Sequence, residues 1–223
     1  MNRTTAYATT TGIALPEQPA AAPARAACGP VPAPVVRDLR ERAGRGPRAL
    51  LFGPRDLVVV TGLPGSGKST LMRRTVPGPR VDSQDTRDRW DRRMPPFLPY
   101  AVYRPLVRLA HYAGLRRALR GGEGVVVHDC GTQAWVRRWL AREARRRGGT
   151  LHLLLLDVTP EQALAGQRDR GRGVSRYAFL RHRAATTRLL RAVEAGELPS
   201  GCGGAIVVDR DAANTLRRIA FTG

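Results

Sequence analysis

The chain has 223 residues, enough for one sizeable α/β domain with a tail and too few for two full domains. No run of about 18 apolar residues occurs, which argues against a spanning helix, and Cys28, Cys130 and Cys202 lack the paired spacing of a zinc site or disulfide framework. The formal charge is +20, and 37 of the 38 basic residues are Arg; so uniform a bias reads first as a solvated Arg-rich surface and second as a nucleic-acid-binding face.

Residues 1–34 are rich in Ala, Pro and Thr without a sustained period of 2 or 3.6, which predicts a disordered tail. Pro16, Pro19 and Pro23 interrupt it, so it lacks the continuous apolar core of a secretory signal, and the expected location is cytoplasmic. A short amphipathic segment from Val35 to Ala43 is expected to form a helix or linker through residue 48. From Ala49 onward the pattern alternates between apolar runs and helical periods, as in a parallel sheet covered on both faces. The expected strands are Leu57 to Val60, Arg80 to Ser83, Val125 to Asp129, Leu151 to Asp157 and Ala205 to Asp209.

The helices between them are marked by their ends and stripes. Residues 94–122 hold four prolines and then a helix from about Arg104 with Leu106, Leu109, Ala110 and Ala113 facing inward. Thr132 is placed to cap a helix through Arg147, on which Trp135 with Trp139 and Val136 with Leu140 lie on one face and the arginines on the other; the tryptophans are expected to be core anchors rather than platforms for stacking bases. Thr159-Pro160-Glu161-Gln162 has proline at the first helical position and the spacing of a capping box. A further helix is expected from about Ser175 to Ala195.

The chemistry concentrates between the first predicted strand and the helix after it. Gly62, Pro64, Gly65, Ser66, Gly67, Lys68, Ser69 and Thr70 lie in GLPGSGKST, a complete phosphate-binding loop in the required strand-to-helix context. Its glycines let the main chain approach an anion, and the amides at the helix N-terminus point at it. Lys68 is the chain's only lysine, standing where a compact ammonium must reach the β and γ phosphates. The Ser69 hydroxyl is expected to ligate Mg²⁺ together with a carboxylate ending a neighbouring strand. Asp129 is favoured for that part over Asp157, whose DVTPE context already explains it as a turn and helix cap. His128 reads as a satisfied strand histidine.

GLPGSGKST, VDSQDTRDRW, VVVHDCGTQAWVRR and TPEQALAGQRDRGRGVS together resemble the small P-loop kinases, AAA-family ATP-binding proteins related to polynucleotide 5′-kinase, zeta toxins and chloramphenicol phosphotransferase. The resemblance covers about Leu57 to Asp209. It implies an α/β, three-layer P-loop NTPase fold with an open, mostly parallel five-stranded sheet. It also implies ATP and Mg²⁺ as cofactors, and transfer of the γ-phosphoryl group to a hydroxyl acceptor. In such kinases an Asp after the second strand takes the acceptor's proton and an Arg just beyond steadies a phosphate. Arg87 matches the Arg; the family spacing lands on Gln84, so Asp85 beside it is the expected base and Asp82 the alternative. The family's mobile lid corresponds to Arg168, Arg170 and Arg172, with Gly171 and Gly173 as hinges and Gly166 or Gln167 where the first lid arginine stands. Asp209 falls where the family's final loop approaches the adenine. Two other readings are a nucleotide-dependent regulatory ATPase without a small acceptor, and a kinase acting on polynucleotide 5′-hydroxyl ends.

Overall fold

The computed structural model describes residues 35–42, 45–128, 134–169, 171 and 173–222. The predicted tail, residues 1–34, lies outside them. In chain order the elements are β1 (Val35–Asp38), β2 (Ala49–Phe52), β3 (Leu57–Gly62), α1 (Lys68–Thr75), β4 (Arg80–Val81), α2 (Ser83–Asp91), α3 (Tyr100–Arg120) and β5 (Val125–His128). There follow α4 (Ala134–Arg146), β6 (Leu151–Leu156), α5 (Pro160–Arg168), α6 (Arg176–Glu194), β7 (Cys202–Val208), α7 (Arg210–Thr215) and β8 (Arg218–Phe221).

Six strands form one sheet in the order β1-β7-β6-β3-β5-β4, every pairing parallel, while β2 and β8 make a small parallel pair of their own. The continuous apolar runs follow from burial on both faces. Val58 and Val60 of β3, Leu154 and Leu156 of β6, and Ile206 and Val208 of β7 face a core closed by Leu71 and Met72 of α1, by α7 and by the β2–β8 pair. The alternate residues, among them Leu57, Val59, Val127, Leu153 and Val207, meet Leu115 and Leu119 of α3, Val136 and Leu140 of α4, and Leu189 and Val193 of α6. Each such aliphatic side chain contributes about 2 kcal/mol by leaving water.

Several expectations are corrected. The segment at Val35 forms no helix: it is an edge strand in register with β7, Val35 opposite Gly204 and Asp38 opposite Val207. Its four side chains are exposed, so main-chain hydrogen bonds rather than an apolar face hold it, and only Leu39 turns into the core. The sheet therefore has six strands instead of five, and β2 and β8 had no counterpart in the sequence reading. On α3 the inward stripe is Tyr103, Val107, Leu115 and Leu119, whereas Leu106 and Leu109 are 51% and 68% exposed. Trp135 is also no core anchor, being 50% exposed beside the buried Val136 and Leu140. By contrast α5 begins as expected, with Thr159 and Gln162 exchanging both bonds of a capping box. Burial pushes the Cys202 thiol up to about 11, against the pull of Arg137, which leaves an inert thiol. No described helix is long and apolar enough to cross a membrane.

Candidate functional site

The loop after β3 turns into α1 through Gly67, which stands at the helix N-cap with φ 95° and offers no side-chain cap. A β-carbon there would meet nothing within 4 Å, so the first-turn amides of α1 open onto free space. Gly65, at φ 94°, is the opposite case: a β-carbon would run into the Ala163 carbonyl of α5 and come within 2.9 Å of Gln167 Cγ. Lys68 is buried, and its ammonium donates to the carbonyl oxygens of Gly62 at 2.9 Å and Leu63 at 2.7 Å. It lies 3.3 Å from Ser66 Oγ, folded back over the loop it follows. Ser69, also buried, sits one residue further into the helix.

Gln167 locks this loop to α5. Its Nε2 donates to the Pro64 carbonyl at 2.9 Å and its Oε1 accepts from the Val174 amide at 3.0 Å. A buried amide making both bonds explains why this position carries no outward-reaching lid arginine: the side chain ties the phosphate loop to the segment leading into α6. Nothing in the spacing of the sequence announced this.

At the C-terminal ends of β4 and β5 a second cluster forms. Asp82 follows β4 and caps α2, its Oδ1 accepting from the Gln84 amide at 2.8 Å and from His128 Nδ1 at 2.6 Å. Burial pushes its carboxyl upward, yet the bonds from His128 and the Gln84 amide, helped by the nearby Ser69 hydroxyl, outweigh that and hold it at about 2. The Asp82 Oδ2 and His128 Nε2 atoms are buried with no hydrogen-bond partner. A buried anion with one oxygen unsatisfied, beside the serine of a phosphate loop, is costly unless something completes it. The reading of His128 as a satisfied strand histidine thus fits only one of its two nitrogens.

The other expected residues fall elsewhere or outside the described residues. Asp85, in the first turn of α2, lies 3.7 Å from an Arg73 guanidinium nitrogen and 3.8 Å from one of Arg80. Arg87 turns toward α3, stacking 3.9 Å over the Tyr100 ring and lying 3.5 Å from Asp91, which also accepts from Tyr103 Oη. Arg168 ends α5 and is exposed. Asp129, Arg170 and Arg172 lie outside the described residues. The strand expected to end at Asp129 does pair with β3, as β6 also does. Asp157 is ion-paired to Arg40 at 2.8 Å, and Asp209 caps α7 through the Ala212 amide while accepting from the Glu41 amide, so both have structural work.

Beside the loop a cavity of about 270 Å³ opens between α1 and α7, with Gly65, Gly67, Thr70, Arg74, Arg210 and Asn214 among its walls. A larger one of about 530 Å³ lies at the ends of β6 and β7, between Asp157, Arg183 and Asp209; it touches Leu63 but none of the loop glycines. The smaller cavity is therefore the one continuous with the anion-ready amides.

Residues 57–195 match the family model of the AAA domain. No curated protein matches the sequence. Among solved structures, one from the PezAT chromosomal toxin–antitoxin system of Streptococcus pneumoniae is similar at a TM-score of 0.51 and 13% identity, over 77% of this chain and 73% of that one. A gluconokinase from Sinorhizobium meliloti 1021 aligns at a TM-score of 0.39 and 18% identity, over 73% of this chain and 92% of its own. The tunicamycin resistance protein of Deinococcus radiodurans aligns at 0.39 and 18%, over 61% and 80%. The parallel sheet, the glycine loop leading into α1 and a family match across more than half of the sequence agree: the chain belongs to the AAA domain family and has the P-loop NTPase fold.

Proposed function

We propose that this protein is a Mg²⁺-dependent phosphotransferase that moves the γ-phosphoryl group of ATP to a hydroxyl acceptor. The observation that carries the reading is the pairing of a phosphate-ready loop with the buried, half-satisfied Asp82 carboxylate next to Ser69. The space in front of Gly67 suits a polyphosphate, and the orphaned Asp82 oxygen suits the water shell of a hard divalent cation. Bound Mg²⁺ would neutralise charge developing on the transferred group, with Ser69 and Asp82 as the residues that hold it.

The remaining work falls to the chain itself. The α1 amides grip the phosphates, and Lys68 exchanges the Gly62 and Leu63 carbonyls for phosphate oxygens. The nucleoside end occupies the cavity against α7, where Asn214 offers both a donor and an acceptor to the base. A carboxyl held near 2 stays ionised at every physiological pH. It is too weak a base to remove a proton early, which favours Asp82 as cation anchor and means the acceptor's proton leaves late, as a loose transition state allows. Asp85 we assign to the junction of α1, β4 and α2, between Arg73 and Arg80. Arg168 remains our choice for the lid residue that closes over the phosphates, because it ends the helix that Gln167 locks to the loop.

The test is a phosphotransfer screen over small hydroxyl acceptors with wild type and Lys68→Ala, alongside calorimetry with Mg·ATP. Acceptor-dependent transfer that Lys68→Ala abolishes is expected. Phosphate released only to water would favour a regulatory ATPase, and no heat on titrating Mg·ATP into the folded protein would sink the reading.

A further inference from the structure

On the outer helix layer, α3 and α4 border a cleft of about 570 Å³ lined by Tyr112, Arg116, Trp135, Arg138, Trp139 and Arg142. The four α4 residues recur at i, i+3, i+4 and i+7, so they form one stripe, and Tyr112 and Arg116 stand one turn apart on α3. The fully buried stripe of α4 is a separate one, Val136, Leu140 and Ala144; Trp139 and Tyr112 pack partly against that core while also lining the cleft, and Trp135 stands outside it. Trp135 nevertheless keeps half its surface in water, in a chain with three tryptophans. Its ring centroid is 5.4 Å from that of Tyr112, which in turn lies 5.6 Å from His111, giving a row of three rings.

Among the described residues, the charged side chains lining the cleft have one sign, while His111, at the inner end of the row, feels Asp82. Arg116, Arg138 and Arg142 are exposed, and among the described residues none of them pairs with a carboxylate. The acid of α4, Glu143, lies off the stripe and pairs with Arg146. We propose that the α3–α4 cleft binds single-stranded nucleic acid, with Trp135, Trp139 and Tyr112 stacking on unpaired bases and the three arginines contacting the phosphates. Sequence-tolerant single-strand sites combine these two elements, an aromatic platform and a cationic track. A duplex has its base faces already stacked and offers the rings nothing. An acidic peptide would satisfy the arginines while leaving the tryptophans wet. The chain's formal charge of +20 favours encounter with any phosphate polymer, and the rings select the unpaired one.

The cleft shares no residue with the phosphate loop, so this inference stands apart from the proposed phosphotransfer. Its test is fluorescence anisotropy of a fluorescein-labelled oligothymidylate of about a dozen nucleotides titrated with the full chain. Binding that weakens steeply with salt is expected, about ten-fold weaker in Trp135→Ala at unchanged melting temperature. Arg138→Ala and Arg142→Ala should each lower the salt slope by about one. The double variant Arg138→Glu with Arg142→Glu, at exposed positions that the fold does not need, should abolish binding. Lys68→Ala should bind the oligonucleotide as wild type does, whatever it does to ATP; loss of oligonucleotide binding in Lys68→Ala would put the strand in the triphosphate site and end the proposal. Equal affinity for a duplex, or an unaffected Trp135→Ala whose oligonucleotide is displaced by polyglutamate, would overturn it in favour of a merely cationic surface.

Discussion

The sheet carries an aspartate–histidine pair at each end, and the two differ in how far their polar atoms are satisfied. At the N-terminal end Asp56 precedes β3 and uses both oxygens: Oδ1 accepts from the Thr150 amide at 2.7 Å, and Oδ2 accepts from the Gly53 amide at 2.8 Å and from His152 at 3.0 Å. At the C-terminal end Asp82 shares Oδ1 between His128 and the Gln84 amide, and leaves Oδ2 buried without a partner. The first pair is a finished staple between the starts of β3 and β6. The second holds part of its bonding capacity in reserve, beside Ser69 and the phosphate loop. Residue type is alike in the two, but Asp82 is fully buried while Asp56 is partly exposed; in the deeper pair the accounting of hydrogen bonds does not close, and that marks a site rather than a staple.

The sharpest way to break the contrast is to neutralise each carboxylate. Asp82→Asn should cut kcat by about a hundred- to a thousand-fold while the protein stays folded, because the amide keeps the α2 cap and removes the charge aimed at the reaction. Asp56→Asn should do the reverse. Its amide group would face the Gly53 and Thr150 amides, and losing those charge-assisted bonds costs about 3 kcal/mol, seen as a drop in melting temperature of roughly 10 °C with turnover at assay temperature unchanged. If Asp82→Asn lost stability and kept activity, the two ends of the sheet would have to exchange roles.

How much of this contrast could be seen in the chain beforehand depends on how local each feature is. The phosphate loop was readable because Gly62 to Thr70 are contiguous and their flanks agree. The strands β3, β5 and β6 were readable because burial on both faces leaves an unbroken apolar run. Asp82 and Asp85 are another matter: two carboxylates three residues apart look equivalent until His128, 46 residues away, donates to one and Arg73 and Arg80 flank the other. β1 escaped notice because an edge strand held by main-chain bonds needs no particular side chains, and Val35-Val36-x-x-Leu39 also fits a helical face. The face of α3, and the depth of Trp135 at the border of the α4 face, were misjudged for a related reason. Periodicity says that a helix has an apolar stripe; when a chain offers two, only packing decides which goes inward.

A smaller effect separates the two ends by pH. The Asp82 carboxyl titrates at about 2 in the folded protein, below the ordinary unfolded value of about 3.9. Its contribution is therefore complete above pH 4 and lost as the pH falls from about 4 toward 2, amounting to about 2 kcal/mol. Denaturant unfolding followed across that window should show the loss in wild type and a flatter profile in Asp82→Asn. Equal slopes in the two proteins would mean that the carboxylate is not held down by its neighbours.

The finest distinction concerns His128, which under the proposed function reaches the reacting groups only through Asp82. His128→Asn removes the 2.6 Å bond to Oδ1 but leaves the bond from the Gln84 amide, so the carboxylate should remain ionised and lose part of its orientation. The expected result is a fall in kcat of about ten-fold, the scale seen when a group that orients a ligand is removed. KM for the nucleotide should not change if, as proposed, Lys68 and the α1 amides hold the phosphates. A merely structural histidine would also lower apparent kcat at unchanged KM, through loss of folded protein, but restoring stability with osmolyte would then recover activity. If kcat alone falls and osmolyte does not restore it, His128 is a positioning residue, and the orphaned Oδ2 at this end of the sheet owes its aim to the neighbouring strand.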